Sequence, residues 1–548
     1  MKTVKQLVLI FALSFAALSA GAQKNEYAII PGPLHLRAQS GQFEFDGNTA
    51  GIYFESELDA ASEQAFFILT ERLQNAAGIR LERVSNARNA DIVCVWNTKL
   101  EKPESYKLNV AKNKITIEAH DAAGFFYAAQ TLRQLLPVEI ENQTVQTGVR
   151  WAVPCCQIFD APQYAYRGMH LDVSRHFSTK EEVMLYIDQL AFLKINTFHW
   201  HLTDDQGWRI EIKKYPKLTK VGAWRFRTLD GAFVSAPNRK WKLEKHGGFY
   251  TQDEVKEVVA YAKKRHINVL PEIEMPGHAV AALAAYPEFS CSGGPFEVEG
   301  LWGVFNDVYC TREETFTFLK DILDEIIPLF PYSYIHIGGD ECPKVRWERC
   351  AACQKRMADE GIKDTHALQS YFIGRIGHYL GTKGKKIIGW DEILEGGLAA
   401  GATVMSWRGT EGGIAAAKMG HNVIMTPNAY MYLDQYQSEA KENEPRAIGG
   451  YLPIEKVYNY NPLPSELTAE QSKFILGVQG NVWTEYMINQ DIREFRIFPR
   501  IDAVAENGWL PQNKKNYPDF KRRLEQITKR YDIMGINYSK AFITNPAK

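Results

Sequence analysis

Asp340 and Glu341 are adjacent carboxylates that follow Tyr334-Ile335-His336-Ile337 and the pair Gly338-Gly339. The four residues before the glycines are β-formers in an apolar pattern, so the acids sit just past the C-terminal end of a strand. Two glycines there free the backbone to bend and leave space for something bulky. Acids in such a place can divide acid and base duties if their surroundings push their pKa values apart. The same dipeptide also suits a helix N-cap with an acidic first turn.

The elements around the pair decide between these readings. From Tyr166 onward, short apolar strands at 168–172, 197–202, 268–273, 334–337, 386–390, 403–406, 422–425 and 475–479 alternate with helical runs at 180–193, 253–265, 313–327, 367–380 and 412–418. A last barrel helix is expected over 493–509, with an appended helix over 517–533. Strand–helix alternation of this kind, without a glycine-rich phosphate loop after the first strand, predicts an α/β fold: a (β/α)8 TIM barrel rather than a doubly wound sheet. Its active site belongs at the C-terminal ends of the strands.

Those ends are polar or aromatic without exception. They carry Asp172 to Phe177, His199 to Trp208, Glu272 to His278, Asp340-Glu341, Trp390-Asp391-Glu392, Ser406-Trp407-Arg408, Tyr430 to Asp434, and Gln479 to Glu485. Buried polar groups cost a few kcal/mol each unless paired, so a whole face of them implies a ligand. Carboxylates, tryptophans and one arginine together describe a carbohydrate pocket, in which rings stack on sugar faces and charged groups share hydroxyl hydrogen bonds. A metal is the rival for His199, His201, Asp204 and Asp205. On a strand, however, the two histidines share a face while the two aspartates diverge, so no metal and no cofactor are expected there.

Ahead of the barrel, residues 25–156 read as a small α+β domain, and a proline-containing passage from Pro154 to Pro162 leads into the catalytic region over 163–548. Residues 1–22 have the layout of a signal peptide: Lys2 and Lys5, an apolar run to Leu18, then Ala20-Gly21-Ala22. The chain is therefore expected to be exported, periplasmic or secreted, and no later stretch is long and apolar enough to span a bilayer. A net charge of −1 offers no basic surface to nucleic acid. Export permits disulfides among the eight cysteines. Cys291 and Cys310 bracket a Gly-Pro loop and read as a staple, while Cys342, Cys350 and Cys353 follow the acids. Zinc on that trio lacks an evident fourth ligand, so one disulfide and a free thiol are expected. Cys94, Cys155 and Cys156 are expected to be buried or paired.

The motifs Asp-Val-Ser-Arg-His-Phe from Asp172, His-Trp-His-Leu-Thr-Asp-Asp-Gln-Gly-Trp-Arg from His199, Pro-Glu-Ile-Glu-Met-Pro-Gly-His from Pro271, His-Ile-Gly-Gly-Asp-Glu from His336, Gly-Trp-Asp-Glu from Gly389 and Tyr-Leu-Asp from Tyr432 resemble glycoside hydrolase family 20, the β-N-acetylhexosaminidases. The likeness runs from Tyr166 to about Trp509, and the preceding unit resembles that family's accessory domain. It implies hydrolysis of terminal, β-linked N-acetylhexosamine, in which the substrate's own acetamido oxygen is the nucleophile. By the same resemblance Glu341 is the general acid and base, and Asp340 orients the acetamide and steadies the oxazolinium. Tyr432 bonds the acetamido oxygen. Trp390, Trp407 and Trp483 wall the pocket or stack beneath the sugar. Arg175, Asp434 and Glu485 take the hydroxyls, and His278 with Asp204 stands behind Glu341. Glu274 occupies a position where many relatives carry Asp. Two other readings stay open on sequence alone: a sugar-binding barrel without catalysis, and a retaining glycosidase that uses Asp434 or Glu485 as its nucleophile.

Overall fold

The computed structural model describes residues 27–55, 58–233 and 237–544, so the leader read at 1–22 lies outside the described residues. The chain forms two compact units.

The first unit holds a seven-stranded mixed sheet whose strands lie, from edge to edge, in the order His35–Glu44, Ala152–Asp160, Tyr106–Ala111, Lys114–Ala119, Ile92–Trp96, Thr49–Phe54 and Arg80–Arg83. Helix Ala122–Leu135 starts at Asp121, whose carboxylate accepts the Gly124 N–H, and it is buried along almost its whole length. The C-terminal helix Tyr517–Met534 belongs to this unit, not to the barrel that precedes it in sequence. Charge pairing fastens it there. Glu141, fully buried, takes Arg133 Nη2 at 2.5 Å and Arg530 Nη1 at 3.1 Å. Burial opposes the Glu141 carboxylate, but the two guanidinium groups outweigh it and hold the pKa below the usual range.

The second unit is a closed barrel of eight parallel strands. In chain order they are Tyr166–Asp172, Thr197–His201, Asn268–Glu272, Tyr334–His336, Lys386–Trp390, Thr403–Ser406, Val423–Met425 and Ile475–Gly480. Every expected strand is present to within a residue or two, because parallel barrel strands are apolar on both faces and stand out as short β-branched runs. The intervening helices follow as read, including Gln252–Lys263 with a Thr251–Glu254 capping box. The single helix expected over 493–509 is instead two, Gln490–Ile497 and Arg500–Trp509. Pro499 lies between them, and a residue without an N–H cannot continue a helix.

Register sets the depth of the site. Asp172 pairs with His201, His201 with Glu272, and Glu272 with His336. Four strands thus deliver an acid or an imidazole at one level of the barrel mouth.

Removing Glu141 leaves two buried arginines unpaired. Glu141→Ala is expected to destabilise the protein by about 3–5 kcal/mol in urea titration; a change within error would show that the network contributes nothing to stability.

Candidate active site

The backbone after the fourth strand turns sharply at Gly338 and Gly339, with φ values of 68° and 90°. A Cβ on Gly338 would lie 1.7 Å from Glu274 Oε2, and one on Gly339 would lie 2.7 Å from Ile393 Cγ2. Glycine is therefore required for space as well as for conformation. The acids that follow are in a loop. The next helix, Val345–Arg349, is preceded by Lys344 at its N-cap, which rules out the capping role for Asp340 and Glu341.

Two non-glycine residues with left-handed backbone meet here, His278 at φ 46° and Glu341 at φ 42°. Such conformations cost about 1–3 kcal/mol each and persist where the surroundings over-determine them. Their side chains touch: His278 Nε2 is 3.5 Å from Glu341 Oε2 and 3.6 Å from Asp340 Oδ2. Behind the ring, Nδ1 bonds Asp205 Oδ2 at 2.9 Å and lies 3.2 Å from Asp204 Oδ1. The sequence reading chose Asp204 alone; Asp205 makes the shorter contact, because the Thr203–Asp204 hairpin turns both carboxylates inward. Burial works against a charged ring, yet Asp204 and Asp205 outweigh it and hold His278 protonated well above the usual imidazole range.

The two acids are driven apart. Burial pushes Asp340 up to about 7, with Glu272 and Glu341 adding to the rise against His278. Glu341 is held below its ordinary value, first by its hydrogen bond with His278. Its side chain keeps 39% exposure, whereas that of Asp340 keeps 12%. Glu274 faces Asp340 from the third strand's loop with neither carboxylate oxygen hydrogen-bonded. Burial first, then the neighbouring Asp340, raises its pKa well above the usual carboxylate range.

A cavity of about 600 Å³ opens over the pair, lined by Arg175, His278, Trp407, Tyr432, Asp434, Trp483 and Glu485 among others. The seventh and eighth strands extend into it as an isolated bridge between Tyr432 and Asn481. Leu433 N–H donates to Asn481 O at 2.8 Å, and Arg500 Nη2 donates to Leu433 O at 2.6 Å. Alternation along extended chain then presents Tyr432 with Asp434, and Trp483 with Glu485. Trp407 stacks with Tyr432, ring centres 6.0 Å apart at 19°. Arg175 reaches Asp204 at 2.8 Å and lies over the Trp483 ring at 5.1 Å.

Trp390, expected to wall the pocket or to stack beneath the sugar, lies deeper than Trp407 and Trp483. It is 1% exposed and lies beneath the wall, donating its indole N–H to Glu272 at 2.8 Å. Its strand ends level with the barrel's buried acid, which captures the ring's only donor. Glu272 also takes His201 Nδ1 at 2.5 Å, with His336 Nδ1 at 2.8 Å and His199 Nε2 at 3.0 Å. The histidines first weighed as metal ligands thus gather, with His336, around one buried carboxylate. Polar atoms at the cavity itself are left open instead. Asp340 Oδ1, Asp434 Oδ1, Glu485 Oε2 and Trp483 Nε1 are buried and make no hydrogen bond within the protein. A polyhydroxylated ligand supplies the missing partners. Residue type marked Asp205 only as a possible metal ligand and did not single out Asn428, Gln435 and Lys456 on the rim.

The catalytic-domain profile of glycosyl hydrolase family 20 matches residues 164–512, and that family's domain 2 matches residues 26–161. The chain belongs to glycosyl hydrolase family 20. It is 48% identical over 515 residues to a beta-hexosaminidase of Porphyromonas gingivalis, covering 93% of this chain and 64% of that one. This chain thus spans just under two thirds of that relative's length. A beta-hexosaminidase of Vibrio furnissii is 38% identical over 485 residues, covering 88% of this chain and 76% of its own. Among solved structures, a Vibrio harveyi family 20 exo beta-N-acetylglucosaminidase in complex with N-acetylglucosamine matches with a TM-score of 0.82 at 34% identity, covering 94% of this chain and 79% of that chain. A beta-N-acetylhexosaminidase of Bacteroides fragilis matches with a TM-score of 0.78 at 32% identity, over 95% of this chain and 99% of that one.

Gly338→Ala tests the turn that aims the acids. A methyl group against Glu274 combined with a left-handed φ is expected to cost roughly 2–4 kcal/mol in thermal or chemical unfolding. Unchanged stability would mean the turn has slack to absorb the side chain.

Proposed function

We propose that this family 20 enzyme is an exo-acting, retaining β-N-acetylhexosaminidase that removes terminal GlcNAc or GalNAc by substrate-assisted catalysis. One observation carries the reading: adjacent acids share a single imidazolium on one wall of a cavity whose other walls are aromatic rings and unpartnered carboxyls. Acids so placed serve one side of a sugar, whereas a nucleophile and an acid bracketing the ring come from opposite sides. The nucleophile is left to the substrate.

In the reaction, the 2-acetamido oxygen attacks the anomeric carbon while the proton on Glu341 passes to the departing glycosidic oxygen. Asp340, ionised, accepts the acetamide N–H and steadies the charge of the oxazolinium. Water then attacks the same carbon from the vacated side, gives its proton to Glu341, and restores the acetamide with retained configuration. Tyr432 donates to the acetamido oxygen, and Trp407 and Trp483 hold the sugar and exclude water. Asp434 and Glu485 accept sugar hydroxyls beside Arg175; burial raises both carboxyls, Asp434 to about 7.

In the free enzyme the order of proton affinity is the reverse of what the reaction needs, since Asp340 is raised and Glu341 lowered. Substrate reverses this. A leaving sugar covers the exposed Glu341 carboxylate and raises its pKa, while an N–H bond to Asp340 Oδ1 favours its ionised form. Binding thus places the pair's proton on Glu341, which gives it to the leaving group and regains one from the attacking water.

The leader read at the N-terminus supports export of the enzyme, to the periplasm or the medium. Among the described residues no helix is long and apolar enough to cross a membrane.

Glu341→Gln is expected to lower kcat on an aryl β-N-acetylglucosaminide by about 10²–10⁴-fold; near-normal turnover refutes the assignment. Asp340→Asn should impair N-acetyl substrates far more than deacetylated ones, and a thiazoline mimic of the oxazoline should inhibit strongly. A covalent glycosyl-enzyme trapped on Asp434 or Glu485 would instead establish a protein nucleophile. A shared single proton also requires a bell-shaped kcat/KM profile: the acid limb marks protonation of both carboxyls, and the alkaline limb marks loss of the proton needed by the leaving group. A profile flat from about pH 4 to about pH 9 contradicts it.

A further inference from the structure

The segment after Glu341 meets a second cysteine-bearing segment. Cys291 and Cys310 come from the long connection after the third strand. Cys350 is the N-cap of helix Ala351–Asp359, and Cys353 lies in its first turn. All eight cysteines are free thiols, so the expected Cys291–Cys310 staple is not formed. Cys342, grouped with Cys350 and Cys353 by sequence, stands outside the cluster. The sulfurs of Cys291, Cys310, Cys350 and Cys353 all lie within 4.8 Å of one another.

We propose that these four thiolates bind one structural Zn²⁺, a site separate from the catalytic cavity. Three sulfur–sulfur separations are 3.7 Å: Cys291–Cys353, Cys310–Cys350 and Cys310–Cys353. A Zn–S bond of about 2.3 Å sets the edge of a tetrahedron at about 3.8 Å. Packed thiols also touch at such distances, but packing does not require four sulfurs to close on one point. Disulfides fit less well. A sulfur–sulfur bond of about 2.05 Å needs a defined pairing, and here Cys310 and Cys353 each contact two partners. Sequence offered the trio Cys342, Cys350 and Cys353 without a fourth ligand; the fold leaves Cys342 out and brings Cys291 and Cys310 to the other two.

The surroundings favour negative sulfur. Cys350 and Cys353 sit where the helix directs free N–H groups and the positive end of its dipole, with no side chain capping it. Arg312 lies beside the cluster, donating to the carbonyl of Ser290 at 3.2 Å. Trp347, fully buried against the same sulfurs, donates its N–H to Tyr309 O at 2.9 Å and so locks the two segments together. Four soft anions in a tetrahedron select a thiophilic ion such as Zn²⁺ over Mg²⁺ or Ca²⁺.

The ion would hold both ends of the connection between Cys291 and Cys310. That connection leans on the active site: Glu299 N–H donates to Asp205 O at 3.1 Å, and Gln206 Nε2 donates to Leu301 O at 2.9 Å. Asp205 and Gln206 in turn hold His278 and Arg175. The site is thus a staple for the loop that backs the catalytic imidazolium.

The test uses the full chain, loaded with Zn²⁺ and freed of excess metal. Elemental analysis should find one zinc per chain, and Co²⁺ in its place should give sulfur-to-cobalt charge-transfer and tetrahedral ligand-field bands. Cys310→Ser and Cys353→Ser should lose both signals, and Cys342→Ser should keep them. A strong chelator should lower the Tm of the wild-type enzyme. Absence of retained metal overturns the proposal, whether the four thiols are then found free to alkylation or the mass is lower by the hydrogens of two disulfides. Should the serine variants fail to fold, the wild-type zinc content and cobalt spectrum decide alone.

Discussion

The catalytic end of this barrel depends on one buried cation, the imidazolium of His278. It stands between two carboxylates behind, Asp204 and Asp205, and two ahead, Asp340 and Glu341. Without that charge four acids would face one another across a dry pocket, where repulsion at short range is severe. With it, the rear pair holds the ring protonated and the ring in turn holds Glu341 ionised. Asp340, more deeply buried, is raised to about 7. The asymmetry of the pair is therefore set chiefly by burial on one side and by the His278 hydrogen bond on the other.

Strain and space are arranged around this contact. His278 and Glu341 both adopt left-handed backbone, and Gly338 and Gly339 leave no room for a side chain beside Glu274 and Ile393. Beneath them Glu272 gathers His199, His201, His336 and the Trp390 indole, a buried polar floor on which the acids and the aromatic wall rest. Such networks give little net stability and cost much if one member is lost. Their effect is geometric: the Glu272 carboxylate ties these side chains into one arrangement, and the cavity above keeps its open acceptors for a ligand.

The two segments that frame the acids share a second fastening at the four cysteines. Its partners come from the connection that supports Asp205 and from the helix that follows Glu341. A clamp there acts on the orientation of the charge relay while leaving the sugar-binding wall untouched. Local rigidity of this sort matters more to a site built on loops at a barrel mouth than to the strands beneath it.

Much was legible from residue order alone. The eight strands stood out because both faces of a barrel strand are buried, and Asp340-Glu341, Arg175, Tyr432, Asp434, Trp407, Trp483 and Glu485 fell at strand ends, where they do line one cavity. Local rules missed what depends on distant neighbours. Spacing could not tell Asp205 from Asp204 as the nearer partner of His278, since a tight hairpin turns both inward. Residue type left Trp390 either to wall the pocket or to stack beneath the sugar; the buried Glu272 draws it below Trp407 and Trp483. One helix over 493–509 ignored Pro499. Cys342 was grouped with Cys350 and Cys353 by proximity in sequence, while the ligands that complete the cluster lie some forty or more residues away. Sequence by itself determined the elements and the chemical types at their ends, because periodicity and composition are local. Only the tertiary structure decided which carboxyl keeps the proton, which ring meets the ligand and which sulfurs converge. Each of those rests on burial and on distances between residues that the chain brings together only when folded.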